Sequence, residues 1–159
     1  MSISEDGLRK NQANFASLSP LSFLERTRKT FPNQTAIEYK DYKLSYKQAG
    51  QRCDALANLI KNQNFNSGTT IAVMLPNIPV MWECHFGVPM ATGVLNAINT
   101  RLDSHTVQFI LEHGEAKLFI YDSEYSPIVE KALVNLKNPP TVIEFVDDVA
   151  GHKRSNFAN

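Results

Sequence analysis

Cysteine and net charge are both scarce in this sequence. The 159 residues include two cysteines, Cys53 and Cys84. Two thiols so far apart make neither a disulfide framework nor a paired metal-ligand spacing, which is typical of a reducing compartment. Sixteen basic residues balance sixteen acidic ones, so the chain lacks the positive surface that draws proteins to nucleic acid or anionic lipid. We therefore expect no nucleic-acid partner.

Long apolar runs are missing from the beginning of the chain. The first twenty residues carry acidic and amide side chains throughout, which excludes a secretory signal or a transmembrane segment there. We expect residues 1–18 to form a flexible arm and residues 19–147 to form one domain. The last residues, 148–159, are polar and predict a frayed tail.

Glycines are few, and none stands in a Gly-x-Gly arrangement, which disfavours a nicotinamide-binding Rossmann domain. The segment Ser67-Gly68-Thr69-Thr70 has the composition of a phosphate loop. A phosphate loop, however, needs free backbone N–H groups, usually with a lysine and a helix N-terminus behind them. The apolar run Ile71–Leu75 follows here instead. We predict a glycine turn that leads into a buried strand.

Short apolar runs alternate with helical patterns over the rest of the chain. Ser19 and Pro20 predict the start of a helix over 20–30, with Ser22 and Glu25 as a capping box one turn on. Ser45 and Gln48 predict a capping box at the start of the next helix. The other predicted elements are a hairpin of 36–39 with 42–45, helices over 46–63, 79–92, 104–113 and 124–136, and strands over 71–75, 94–98, 117–121 and 142–146. This order predicts an α/β fold with a mostly parallel sheet, flanking helices and a preceding β-hairpin.

Polar residues follow each predicted parallel strand. In open α/β sheets, ligands bind beyond the carboxyl ends of the strands. The residues at those positions are Asn77, Asn99, Thr100, Arg101, Asp122, Asp147 and Asp148. The alternative is that Asn77, Asp103 and Asp122 only cap the helices that follow them. Arg101 is the residue that we would mutate first in a longer relative.

The histidines do not predict a metal site. Glu83, Cys84 and His85 are consecutive, and successive helix positions point about 100° apart, so they cannot converge on one ion. We expect His85 to be packed. His105 and His113 lie outside the His-Glu-x-x-His spacing and are interpreted as surface or capping groups. We predict no metal ligand among these residues.

Four segments together resemble a known family. They are Leu18–Arg26, Leu75–Pro79, His85–Ala91 and Asn96–Leu102, and they are similar to the amino-terminal part of acyl-CoA synthetases. Those enzymes belong to the adenylate-forming, or AMP-binding, superfamily, and the similarity is to its short- and medium-chain acyl-activating type, which includes plant enzymes. The resemblance extends from about Leu18 to Val146, so residues 19–147 are expected to be a partial amino-terminal domain.

The resemblance implies a ligase that joins a fatty or other carboxylic acid to ATP, releases pyrophosphate, and passes the acyl group to coenzyme A. ATP, Mg²⁺ and CoA are implied for the full-length enzymes. The family's Ser/Thr/Gly-rich loop ending in Pro-Lys-Gly has no counterpart here, nor do its ribose-binding acid, its hinge and its catalytic lysine. We therefore expect no catalytic, cofactor-binding or metal-binding residue in this chain, and no activity of the chain alone.

A different class of function stays open at this point. Without the rest of such a domain, apolar sheet edges and helix faces would be exposed, which predicts self-association or a non-enzymatic module that pairs with another subunit. The default compartment is the cytoplasm. Phe157-Ala158-Asn159 is not a peroxisomal address, and truncation would remove such an address. The peroxisome or the mitochondrion remains an alternative for a full-length relative.

Overall fold

Helices and strands alternate along the part of the chain that the computed structural model describes, which is Phe15, residues 18–134 and residues 136–156. The helices are α1 (Pro20–Thr30), α2 (Tyr46–Lys61), α3 (Pro79–Met90), α4 (Ser104–His113) and α5 (Ser126–Leu133), with one 3₁₀ turn at Ser123–Tyr125. The strands are β1 (Thr35–Tyr39), β2 (Tyr42–Ser45), β3 (Thr70–Met74), β4 (Val94–Ala97), β5 (Leu118–Asp122) and β6 (Thr141–Phe145). No helix in these residues is long and apolar enough to span a membrane.

The last four strands form one parallel sheet in the order β4-β3-β5-β6. In the middle of the sheet, Ile71 pairs with Leu95 on one side and with Leu118 on the other. The first two strands form a separate antiparallel hairpin. The predicted fold class is confirmed, and each predicted strand of the parallel sheet lies within one residue of its observed position.

Both faces of the two central strands, β3 and β5, are buried. One face carries Ala72, Met74, Phe119 and Tyr121, which pack with residues of α4 and α5. The opposite face carries Ile71, Val73, Leu118 and Ile120, which pack with residues of α2 and α3. Successive strand residues point to opposite faces, which explains why these strands are continuous apolar runs instead of alternating ones.

The helix starts follow their sequence signals in two of three cases. Ser19 caps α1, and the Ser45–Gln48 pair forms a reciprocal capping box with distances of 2.9 and 3.3 Å at the start of α2. The predicted capping box at Ser22 is wrong. Its hydroxyl donates to the Ser19 carbonyl at 2.7 Å, because Ser22 already lies inside the helix that Ser19 begins.

Two contacts fix α3 against α2. Arg52 donates to both carboxylate oxygens of Glu83, at 2.5 and 3.2 Å, and Glu83 is buried. Burial raises the pKa of Glu83, and Arg52 opposes that rise. A Cβ at Gly87 would lie 2.9 Å from the Leu56 side chain, so glycine is needed for this close approach. These contacts hold the middle of α3 against α2.

The domain limits at residues 19 and 147 stay a prediction. Of the predicted arm, all but Phe15 and Leu18 lie outside the described residues, as do residues 157–159 of the predicted tail. The described part of the tail differs from a frayed segment, because the Ser155 N–H donates to Glu144 at 3.0 Å and His152 contacts Asp122. These polar contacts attach the segment to the sheet. The sequence pattern alone does not predict them.

Candidate functional site

The segment with phosphate-loop composition lies at the amino end of the sheet. The Gly68 N–H donates to the Thr92 carbonyl at 2.8 Å, and the Thr69 N–H donates to the Asn66 carbonyl at 3.2 Å. Gly68 has a φ of +83°, a conformation that glycine adopts without strain. The predicted glycine turn before a buried strand is confirmed. The Gly68 and Thr69 amides are already used, so the turn does not fit the phosphates of ATP.

Polar residues gather at the opposite end of the sheet, as predicted, but only some of them meet. Asp122 ends β5 and Asp147 follows β6, both contact His152, and each is buried. Of the other predicted site residues, Asn77, Asn99, Arg101 and Asp148 are exposed, and Thr100 is half-buried. The structure therefore narrows the candidate site to the ends of β5 and β6.

Asp122 is the most deeply buried acidic residue of this site, with 0% of its surface exposed. Its Oδ1 accepts the Glu124 N–H at 2.9 Å and lies 2.7 Å from Nδ1 of His152. Its Oδ2 has no hydrogen-bond partner. Burial of a carboxylate oxygen without a hydrogen-bond partner costs folding free energy. A hydrogen-bond donor or a cation at this end of β5 would reduce that cost.

Asp147 connects the segment after β6 to the hairpin. Its Oδ2 accepts the Tyr39 hydroxyl at 2.7 Å, and its Oδ1 accepts the Ala150 N–H at 3.1 Å. The hydrogen bond to Asp147, then burial and the charges of Asp147 and Asp122, raise the pKa of Tyr39 to about 12. Lys40 adds a contact of 3.0 Å to the Val149 carbonyl. The hairpin and the chain after β6 therefore form one polar corner.

Glu144 extends this polar region under residues 152–155. Its Oε1 accepts the Ser126 hydroxyl and the Ser155 N–H, both at 3.0 Å. Burial raises the pKa of Glu144, but these hydrogen bonds outweigh it and leave the pKa below its ordinary value. Among the described residues, every buried side-chain oxygen or nitrogen without a partner lies here: Asp122 Oδ2, Ser123 Oγ, Glu144 Oε2 and Ser155 Oγ.

The capping alternative holds for two of its three residues. Asp103 accepts the Thr106 N–H at 2.8 Å and caps α4, and Asp122 caps the 3₁₀ turn. It is wrong for Asn77, because Ile78 is the N-cap residue of α3 and no side chain caps that helix. Pro79 at the first helical position has no N–H to be satisfied.

The residues considered as metal ligands or nucleophiles from the sequence alone do not form a site. Glu83 and Cys84 face inward, whereas His85 is exposed, so the prediction of a packed histidine is wrong. His113 is exposed and stacks on Phe109 with ring centroids 5.4 Å apart. Burial raises the pKa of Cys53 and that of Cys84 to about 12, so neither thiol is an activated nucleophile.

A cleft opens beside the carboxyl end of β3, between the hairpin and the start of α3. Its volume is about 410 Å³, within the range of small-molecule sites. Ile37, Ile78, Met81 and Trp82 make its wall mainly apolar, and Asn77 and His85 add polar groups. This lining suits an apolar group better than a phosphate.

Four polar residues of the region escaped the sequence analysis: Tyr39, Glu124, Glu144 and His152. Tyr39 belongs to a hairpin, and His152 to a polar segment predicted to be frayed, so neither had a pattern that placed it at the sheet. The spacing of Asp122 and Glu124 directly after a buried strand was the one available signal.

A parallel sheet covered on both faces, with polar residues and a cleft at its carboxyl edge, defines the class of open α/β ligand-binding domains. Comparison with known proteins identifies the family within that class. The AMP-binding enzyme family matches residues 24–157. The chain belongs to this family of adenylate-forming enzymes.

The relatives of the chain include plant acyl-CoA ligases. It is 34% identical to the acetate–CoA ligase CCL3 of Humulus lupulus over 96% of this chain and 28% of that protein. It is 43% identical to the peroxisomal trans-cinnamate:CoA ligase of Petunia hybrida over 80% of this chain and 22% of that protein. The chain thus spans about a quarter of the length of these relatives.

Solved structures show the same fold. The anthranilate CoA ligase AuaEII in complex with anthranoyl-AMP superposes with a TM-score of 0.77 over 86% of this chain and 27% of that protein, at 19% identity. At this identity the likeness concerns the fold alone. The parallel sheet, its helices and the hairpin are therefore those of part of an adenylate-forming enzyme.

Proposed function

We propose that this chain supplies part of an ATP-dependent acyl-CoA ligase. Such an enzyme joins a carboxylic acid to AMP with release of pyrophosphate, and then transfers the acyl group to the thiol of CoA. The observation that carries the proposal is the family match over residues 24–157, supported by identities of 34% and 43% to two plant ligases. The acid, ATP, Mg²⁺ and CoA are the proposed ligands of the whole enzyme.

We also propose that the chain alone does not adenylate an acid. Transfer of AMP requires groups that neutralise the phosphates of ATP. The Ser67–Thr70 segment does not offer them, because its Gly68 and Thr69 amides are bonded within the protein. The sequence also contains no Pro-Lys-Gly. We therefore derive no catalytic step through ATP or Mg²⁺ for the described residues.

The acid and the compartment are proposed only in outline. The names of the relatives specify acids as different as acetate and trans-cinnamate, so we propose a small carboxylic acid without a fixed chain length. Several relatives are named peroxisomal. The cytoplasm is our default proposal for this chain, with the peroxisome as the alternative for a full-length protein.

Pyrophosphate exchange tests the proposed lack of activity. The purified chain, incubated with MgATP and a panel of acids that includes acetate, butyrate and trans-cinnamate, is expected to show no exchange. The full-length Petunia ligase is the positive control, and its equivalent segment is the matched control for length. Exchange by this chain above the level of that segment would contradict the proposal.

A second candidate function is a module that pairs with another subunit. The observation that favours it is the exposure of large apolar side chains, with Val94 on the outer strand β4 52% exposed and Phe109 on α4 60% exposed. Size-exclusion chromatography with light scattering measures whether the chain assembles into an oligomer, as the module requires if its partner is a second copy of this chain. A discrete oligomer that V94K and F109K abolish would favour the module, and a monomer would count against it.

A further inference from the structure

We propose that Asp122, Glu124 and His152 bind a divalent transition-metal ion of the Zn²⁺ type at the carboxyl end of β5. One ligand atom from each residue lies within 4.8 Å of the other two. The set combines one imidazole nitrogen with two carboxylates, which suits Zn²⁺. Mg²⁺ prefers oxygen ligands alone. This proposal does not depend on the ligase function.

The second carboxylate oxygen of Asp122 is a separate reason to place an ion here. Asp122 is 0% exposed, and its Oδ2 has no hydrogen-bond partner. Oδ2 belongs to the same carboxylate whose Oδ1 contacts His152, so the unused acceptor is part of the cluster itself. Simple pairing of Asp122 with His152 leaves this oxygen unsatisfied, whereas a cation at this carboxylate would satisfy it.

Backbone hydrogen bonds position the three residues before any ion binds. The Glu124 N–H donates to Asp122 Oδ1 at 2.9 Å, which fixes the turn between the two acids. The His152 N–H donates to the Asp147 carbonyl at 3.0 Å, and Asp147 is itself tied to Tyr39. The pairing of Asp122 with Phe145 in the sheet, a contact outside the ligand set, brings the two segments together.

Binding of one ion requires a side chain to move. His152 Nδ1 lies 2.7 Å from Asp122 Oδ1, whereas the other ring nitrogen, Nε2, lies 4.0 Å from Glu124 Oε2, so the two carboxylates contact different nitrogens of the ring. Metal–ligand bonds of about 2.1 Å allow two ligand atoms to be up to about 4.2 Å apart. The Glu124 side chain is 54% exposed, so it is free to rotate toward the ion. The same exposure gives the ion access from solvent.

The rest of the described residues offer no comparable set. Cys53 and Cys84 are fully buried, and burial raises the pKa of each thiol to about 12, which disfavours the thiolate that binds metal. His85, His105 and His113 are exposed on two different helices. Among the described residues, no other group of three histidine, cysteine or acidic side chains lies close enough to hold an ion.

Isothermal titration of the whole chain with Zn²⁺ tests the proposal, with Mg²⁺ as the comparison ion. We expect one saturable Zn²⁺ site, an affinity for Mg²⁺ at least tenfold weaker, and a thermal midpoint that rises with Zn²⁺. H152Q should weaken Zn²⁺ binding about tenfold or more. H113Q is the matched control, since His113 is an exposed histidine that contacts Phe109, and it should bind Zn²⁺ as the unmodified chain does.

E124Q keeps the test decisive if H152Q disturbs the fold. Glu124 is exposed, so its amide variant should keep the circular dichroism spectrum of the unmodified chain while it weakens Zn²⁺ binding severalfold. Absence of saturable binding, or equal Zn²⁺ affinity for H152Q, E124Q and H113Q, would overturn the proposal. Either result would leave Asp122 and His152 as a hydrogen-bonded pair only.

Discussion

The two ends of the parallel sheet differ in whether their polar groups have hydrogen-bond partners within the protein. At the amino end, the Ser67–Thr70 turn has the composition of a phosphate loop. Its Gly68 and Thr69 amides, however, donate to the carbonyl groups of Thr92 and Asn66. At the carboxyl end, no such motif is present, yet Asp122, Ser123 and Glu144 carry buried oxygens without partners. Composition therefore misleads at the first end, because a loop binds ligands only with groups that the fold has not already used.

The largest expected loss of stability concerns a residue at the amino end of the parallel sheet. Ile71 is 0% exposed, directly after the glycine turn, so I71A should lower the free energy of unfolding by about 2–5 kcal/mol. V94A is the matched control on the neighbouring strand, because Val94 is 52% exposed, and its cost should stay within about 0.5 kcal/mol. Urea unfolding measures both. Equal, small losses would mean that residues 70–72 are not a packed strand.

An intermediate loss of stability is expected for a substitution at the carboxyl end of the parallel sheet. D122A removes the acceptor for Glu124 and His152 and should cost about 1–3 kcal/mol in the presence of a chelator. D148A is the control, because Asp148 is exposed. If both variants unfold at the same urea concentration as the unmodified chain, the contacts of Asp122 do not stabilise this end of the sheet.

The smallest expected loss of stability concerns the contact between the hairpin and the segment that follows β6. Y39F removes the hydrogen bond to Asp147 and should cost about 1 kcal/mol near neutral pH. Because the pKa of Tyr39 is raised from 10.0 to about 12, this stabilisation is complete below pH 10 and is lost as the pH rises through 12.

Y42F is the control for the hairpin, since Tyr42 is exposed on the partner strand. Thermal unfolding of both variants from neutral to alkaline pH measures the difference. A cost of Y39F that does not change with pH would show that the phenol does not donate to Asp147.

The sequence predicted the elements of the fold closely because their signals are local. Ser19 and the Ser45–Gln48 pair cap helices through groups within three residues, and the runs at 71–75 and 117–121 are apolar on both faces of the sheet. The failures have the opposite cause. Ser22 and Asn77 fit the residue preference of a cap but lie at the wrong helix position, which only the neighbouring backbone decides.

The candidate site was predictable only in part. The rule that ligands bind beyond parallel strands pointed to Asp122 and Asp147, because their place follows from strand direction. Tyr39 and His152 reach the same corner from segments 108 and 30 residues away from their partners. Such contacts between distant residues leave no periodic pattern in a single sequence, and so the polar sequence of the tail did not predict its contacts with Asp122 and Glu144.

The most direct test of the contrast between the two ends is an NMR titration of the chain with MgATP, followed at the backbone amides. We predict that the Gly68–Ala72 amides keep their chemical shifts at millimolar MgATP, because the sheet and its turn already hold these groups. Saturable shifts confined to these amides would contradict the assignment of residues 67–72 to a strand and its turn, and would establish a phosphate site at the amino end.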